Sequence, residues 1–141
     1  SVPVLGGADK IALVNGNDIW VMNVDGSDPL RLTTDGAAKF NLQWLDRNTL
    51  LYVSGMTLKT VDTETLREEN ITSFLSSEYF ESFRVSPDGT QAAISLDREL
   101  FVVPFSLDAM RNVRQRSDLL ALLQQQQELR KAKREPIEAG A

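Results

Sequence analysis

Apolar and polar positions alternate in short runs along most of the chain, with turn residues between them. Ile11-Ala12-Leu13-Val14, Ile19-Trp20-Val21-Met22, Leu51-Tyr52-Val53-Ser54, Leu58-Lys59-Thr60-Val61, Ala92-Ala93-Ile94-Ser95 and Leu100-Phe101-Val102-Val103 are each strand-length and rich in β-branched, aliphatic or aromatic residues. Asn15-Gly16, Asp25-Gly26, Asp35-Gly36 and Asp88-Gly89 punctuate them. A glycine there enters the left-handed region freely, while an adjacent Asp bonds its own backbone, so these dipeptides predict tight turns between antiparallel strands.

The runs recur at roughly 40-residue spacing, the length of one four-stranded propeller blade. Ser86-Pro87-Asp88-Gly89-Thr90 leading into Ala92–Ser95 matches Leu45-Asp46-Arg47-Asn48-Thr49 leading into Leu51–Ser54. A third copy runs from Gly6-Gly7-Ala8-Asp9 into Ile11–Val14. Next comes a third strand: Ile19–Asp25 aligned with Met56–Asp62, then Leu100–Ser106. Short fourth strands are expected at Leu30-Arg31-Leu32-Thr33, Glu69-Asn70-Ile71-Thr72 and Arg111-Asn112-Val113-Arg114. The predicted fold is all-β: a partial β-propeller of three four-stranded antiparallel blades at 1–38, 39–77 and 78–117, followed by a basic helical or disordered tail at 118–141. In that tail Ser117-Asp118 is positioned to cap a helix over Leu119 to about Arg134, with Pro136 and Gly140 at a frayed end.

These segments resemble the TolB-type and related WD-like propeller repeats. The resemblance is carried by Phe83-Arg84-Val85-Ser86-Pro87-Asp88-Gly89, by Asp18-Ile19-Trp20-Val21-Met22-Asn23-Val24-Asp25-Gly26-Ser27 and by Leu30-Arg31-Leu32-Thr33. Trp44-Leu45-Asp46-Arg47-Asn48 departs from it, with Leu-Asp in place of Pro-Asp-Gly. The resemblance spans residues 1–117 and implies a blade type shared by envelope proteins, peptidase propellers and sensor domains. Trp20, Asp25, Gly26, Trp44, Ser86, Pro87, Asp88 and Gly89 are the signature positions, with structural roles. Propellers typically close with four to eight blades, so three imply further blades or a second copy to complete a ring. The start at Ser1 rather than a methionine leads us to expect a processed or trimmed beginning.

Charge and composition narrow the chemistry. Histidine and cysteine are both absent, which removes imidazole bases, thiol nucleophiles, zinc fingers and disulfides. Residues 1–110 carry 16 acidic and 8 basic side chains, whereas residues 111–141 carry 4 and 7. An acidic body argues against a phosphate-backbone partner, and no nucleic-acid binding is expected. No apolar run reaches the ~18 residues a membrane-spanning helix needs.

The remaining motifs read more simply as structure. Ser86–Thr90 is similar to the Asp-box turn of sialidase-like propellers, yet its recurrence identifies a hairpin. Asp25-Gly26-Ser27-Asp28 offers oxygen ligands without the spacing of a calcium loop. Glu64, Glu68 and Glu69 would serve acid–base chemistry only if buried together. Trp20, Trp44, Phe83 and Phe101 fall at similar blade positions and are expected between blades. Neither a Gly-x-Ser-x-Gly elbow nor a glycine-rich phosphate loop is present.

The expectation is a non-catalytic binding or scaffold module with no cofactor and no metal. Its expected partner is another protein, in a periplasmic or other extracytoplasmic setting as the TolB resemblance implies. Phe74, Tyr79 and Phe80, beside the longest connection, are the candidate exposed aromatics for that partner, with core packing the first expectation for Tyr79 and Phe80. The alternatives are an accessory propeller of a larger peptidase or glycan-acting enzyme, and an oligomerisation module acting through the tail helix.

Overall fold

The computed structural model describes residues 4–6 and 9–139, with side chains described from Asp9 to Lys133. Part of the first expected repeat, Gly7-Ala8, and Gly140 lie outside the described residues. Among the described residues eleven strands make three antiparallel meanders. The first comprises β1 (Val4–Gly6), β2 (Lys10–Asn15), β3 (Asp18–Asn23) and β4 (Leu30–Arg31). The second comprises β5 (Phe40–Trp44), β6 (Thr49–Ser54), β7 (Thr57–Asp62) and β8 (Glu68–Ser73). The third has three strands: β9 (Phe80–Val85), β10 (Gln91–Leu96) and β11 (Glu99–Pro104).

Strand registers fix which residues are equivalent. Val14 faces Ile19, Val53 faces Leu58 and Ser95 faces Leu100, each next to its hairpin. Ile11 is therefore equivalent to Leu50 and Ala92, one position away from the sequence alignment, which set Ile11 beside Leu51. Asp62 likewise stands at the place of Asn23 rather than Asp25. In a strand a one-residue slip exchanges the faces, so the correction decides which side chains meet.

The sheets stack face to face. Ala12, Ile19 and Val21 of the first pack against Leu50, Tyr52 and Val61 of the second, with Leu32 and Leu42 at the margins. The opposite face of the second sheet, Leu51, Val53 and Leu58, packs on Phe83, Ala92, Ile94, Phe101 and Val103 of the third. Covered on both faces, β6 is buried without interruption from Leu50 to Val53. By contrast β10 alternates strictly, because only one of its faces is covered.

Inner strands are zipped by side chains. In β5, Asn41 adopts φ 55° at a bulge, and its side-chain oxygen accepts from the Phe83 N–H at 2.9 Å. Gln43, buried to 7% exposure, accepts from the Val85 N–H at 2.7 Å and donates to the Phe83 carbonyl at 3.0 Å.

The expected fourth strand at Arg111–Arg114 does not form. A short helix α1 (Leu107–Met110), capped by the Ser106 hydroxyl accepting from Ala109 N–H, turns the chain away from β11. Residues 111–115 then run beside the second sheet: the Thr72 hydroxyl donates to the Val113 carbonyl and Leu75 N–H to the Arg114 carbonyl. Helix α2 (Arg116–Ala139) follows, starting before the expected Leu119 and continuing past Arg134 and Pro136. Asp118 sits in its first turn and accepts from the backbone N–H groups of Arg114 and Gln115, the reaching-back half of a capping box. Met110, Val113 and Leu119 are fully buried and join the core shared by the second and third sheets.

Candidate partner-binding face

Two sets of connections meet at one end of the sheets: the hairpins between second and third strands, and the links from one sheet to the next. Lys39 Nζ donates to the Asn17 carbonyl at 3.0 Å, Phe74 N–H to the Met56 carbonyl at 2.9 Å and Asp97 N–H to the Tyr79 carbonyl at 2.6 Å. Each sheet-to-sheet link is thus pinned to a hairpin, which makes this end an ordered loop face.

An ion cluster holds the first third of that face. The Asp18 carboxylate, 1% exposed, accepts from the Arg31 guanidinium, the Thr33 hydroxyl at 2.9 Å, the Gly36 N–H at 3.1 Å and Lys39 Nζ at 3.3 Å. The Arg31 guanidinium foremost, helped by the Thr33, Gly36 and Lys39 donors, holds the Asp18 carboxyl well below the usual carboxylate range despite its burial. Lys39, with no side-chain exposure, also donates to Asp35 and to the Ala37 carbonyl, so its charge is matched within the fold. The equivalent position in the second sheet is Thr57, whose hydroxyl bonds the Ser73 hydroxyl at 2.9 Å. In the third sheet it is Glu99, which accepts from Arg116 Nε at 2.6 Å. Sequence reasoning quoted Asp18, Arg31 and Thr33 only as parts of a repeat and missed their convergence. The signal was present in polar residues bracketing the apolar strand, but nothing marked Lys39.

Aromatic residues occupy the inner part of the face. Phe74 and Phe80 are buried, 4% and 7% exposed, and stack with centroids 4.3 Å apart at 12°. The expected exposure of Phe74 is therefore corrected, while Phe80 packs in the core: link residues six apart close on each other, and the Met56 hairpin holds the Phe74 backbone. Tyr79, for which core packing is the first expectation, is instead exposed at 56%, because Phe74 and Phe80 fill the space beneath the link by stacking on each other. Two residues that the sequence did not single out join it, Phe40 at 37% exposure and Leu75 at 40%. The Phe40 ring lies 6.4 Å from that of Phe80, and Leu75 and Tyr79 are the chain neighbours of Phe74 and Phe80, so the three exposed residues belong to the same stretch of the loop face as the buried pair.

Elsewhere the signature residues are absorbed by turns and seams, Trp20 excepted, which does not pack between described sheets as expected. Asp88 accepts from the hydroxyls of Ser86 at 2.6 Å and Thr90 at 2.8 Å, and Gly89, at φ 75°, closes the Ser86-Pro87-Asp88-Gly89 turn onto the Ser86 carbonyl. Asp25 is used by the Ser27 N–H and hydroxyl, with Gly26 at φ 86°. These donors depress both carboxyls, Ser27 acting on Asp25 and Ser86 most strongly on Asp88. Trp44 packs at the edge of the first seam, and Trp20 lies on the face of the first sheet that points away from the second. Glu68 and Glu69 are not brought together: Glu68 accepts from the Tyr52 hydroxyl at 2.7 Å, whereas Glu69 pairs with Arg111 at 2.6 Å. Burial of Tyr52, reinforced by Glu68, pushes its phenol far above the ordinary value. Among the described residues no group of three or more acidic side chains is placed to hold a metal ion, and no helix is long and apolar enough to cross a membrane.

No family model matches the chain, and no curated protein matches it in sequence. Solved structures do. The tricorn protease is 18% identical with a TM-score of 0.60, over 74% of this chain and 10% of that one. TolB from Acinetobacter baumannii is 22% identical with a TM-score of 0.53, over 73% of this chain and 29% of that one. A Saccharomyces cerevisiae complex of dbp5 bound to nup159 and gle1 contributes a match 19% identical with a TM-score of 0.54, over 74% of this chain and 27% of that one. The chain spans less than a third of each of these, 10 to 29% of their lengths. At such identities the likeness shows the fold alone, and with three stacked antiparallel sheets and a C-terminal helix the chain is a partial β-propeller.

Proposed function

We propose that the chain is a non-catalytic, protein-binding scaffold module, part of a larger propeller or assembly, whose loop face receives a protein partner. The observation that carries this reading is the exposure of Phe40, Leu75 and Tyr79 on the loop face that also holds the buried Phe74–Phe80 pair, on loops pinned to the hairpins. Exposed aromatic and aliphatic side chains on a rigid base lose little entropy on docking, which is how interface anchors work. The similar architecture within the dbp5–nup159–gle1 complex supports a role in protein assemblies. Likeness to TolB supports an extracytoplasmic setting.

The test is comparative capture. Immobilised wild-type chain is offered a bacterial envelope extract beside a Leu75→Glu/Tyr79→Glu variant of unchanged circular dichroism. A protein retained by the wild type and lost by the variant supports the reading; identical retention by both overturns it.

The tricorn likeness favours a second reading, an accessory propeller of a larger peptidase or glycan-acting enzyme. Its mark would be a hydrolase domain encoded in the same reading frame.

A further inference from the structure

The two end faces of the stack are largely apolar and resemble, position by position, the two faces buried at its first seam. At that seam Ala12, Val14, Ile19 and Val21 of the first sheet meet a second-sheet face that includes Leu50, Tyr52 and Val61. By strand register, Ala93, Ser95, Leu100 and Val102 are the third sheet's equivalents of the first set, keeping Ala beside an aliphatic pair on the third strand, with Ser95 in place of Val14. No described sheet lies against them, and Leu100 and Val102 are 70% and 52% exposed. At the other end Ile11, Leu13, Trp20 and Met22 are the first sheet's equivalents of Leu50, Tyr52, Lys59 and Val61, bulky and apolar where the buried face is bulky, and all four are only partly buried.

From this we infer that the third-sheet face of one copy packs on the first-sheet face of a second copy, closing two three-sheet stacks head to tail into one ring. Six blades lie within the range at which propellers close. The inner strand agrees at one position: Arg84 of β9 is equivalent to Gln43, whose side chain reaches the backbone of the next inner strand. Exposed Arg84 stands where its guanidinium can donate to a backbone carbonyl of the second copy, as the Gln43 amide donates to Phe83. A face used head to tail must either close or polymerise, and contiguous apolar faces of this kind are seldom left in water. The inference concerns the ends of the stack, so it stands or falls separately from the loop-face reading.

Sedimentation velocity of the full chain tests it. The expected species has twice the 15.7 kDa chain mass. Leu100→Glu/Val102→Glu, which alters only exposed positions, returns it to monomer, as does Trp20→Glu on the opposite face. Mixing those two variants restores a dimer, because each keeps the face the other lacks. A wild-type monomer at about 100 μM, an open-ended polymer, or a dimer lost on truncation after Gln115 but indifferent to the Leu100→Glu/Val102→Glu change overturns the inference; in the last case the tail helix is the contact.

Discussion

The side-chain amide of Gln43 does for β9 what a neighbouring strand would do, accepting from Val85 N–H and donating to the Phe83 carbonyl across the seam between the second and third sheets. Replacing it with Leu keeps the bulk and removes both bonds, leaving buried backbone groups unmatched. The expected loss is about 1–3 kcal/mol, the usual cost of an unsatisfied buried polar group. Urea denaturation of Gln43→Leu against wild type measures it, and an unchanged midpoint contradicts the role.

Asp18 gives the molecule a defined response to acid. Its folded pKa is depressed, by Arg31 first, below the unfolded value of roughly 3.9. The stability it contributes is therefore fully present above about pH 4 and is lost as pH falls through the lower, folded value. Asp35, depressed chiefly by Lys39, and Asp62, depressed by the Thr65 and Glu64 N–H groups, act in the same direction. Asp18→Asn is expected to be less stable than wild type at pH 6, with the gap narrowing as pH drops below about 4. Denaturant midpoints measured from pH 6 down to pH 2.5 check this, and a constant gap would remove Asp18 from the account.

The hairpin between β10 and β11 places two non-glycine residues in the left-handed region, Asp97 at φ 51° and Arg98 at φ 64°. The equivalent turn in the first sheet uses Gly16 and Asn17 at φ 61° and 67°. For a long side chain this conformation costs roughly 1–2 kcal/mol, partly offset by the extra freedom glycine gives the unfolded chain. Arg98→Gly is expected to stabilise the chain by about 0.5–1 kcal/mol, read as a higher thermal midpoint.

Helix α2 is anchored by Leu119, which is fully buried in the core of the last two sheets, while Leu129 is 65% exposed. Leu119→Ala is expected to cost about 2–4 kcal/mol by leaving a cavity. Leu129→Ala should change stability by less than about 0.5 kcal/mol. Amide exchange across residues 116–123 should accelerate in the first variant and not in the second.

What the sequence showed depended on how local the cause was. Leu50–Val53 reads as a strand because an unbroken apolar run of that length belongs to a sheet covered on both faces, and so it is. Arg111–Arg114 offered one apolar residue, Val113, and its burial against the second sheet fixes no backbone conformation; the Ser106 cap that starts α1 was the better guide. Phe74 and Phe80 flank a link of Ser and Glu residues that composition assigns to the surface, yet they bury against each other. Lys39 sits in a polar link, and its partners Asn17 and Asp18 lie in a hairpin 22 and 21 residues away, beyond any periodicity.

The detour after β11 has a mechanical meaning. Because Val113 and Arg114 are bonded to Thr72 and Leu75, the path to the tail is stitched to the second sheet before α2 settles beside β11. A load applied through the tail would be shared by two sheets at once, drawing them together like a strap across a joint instead of peeling the last one away.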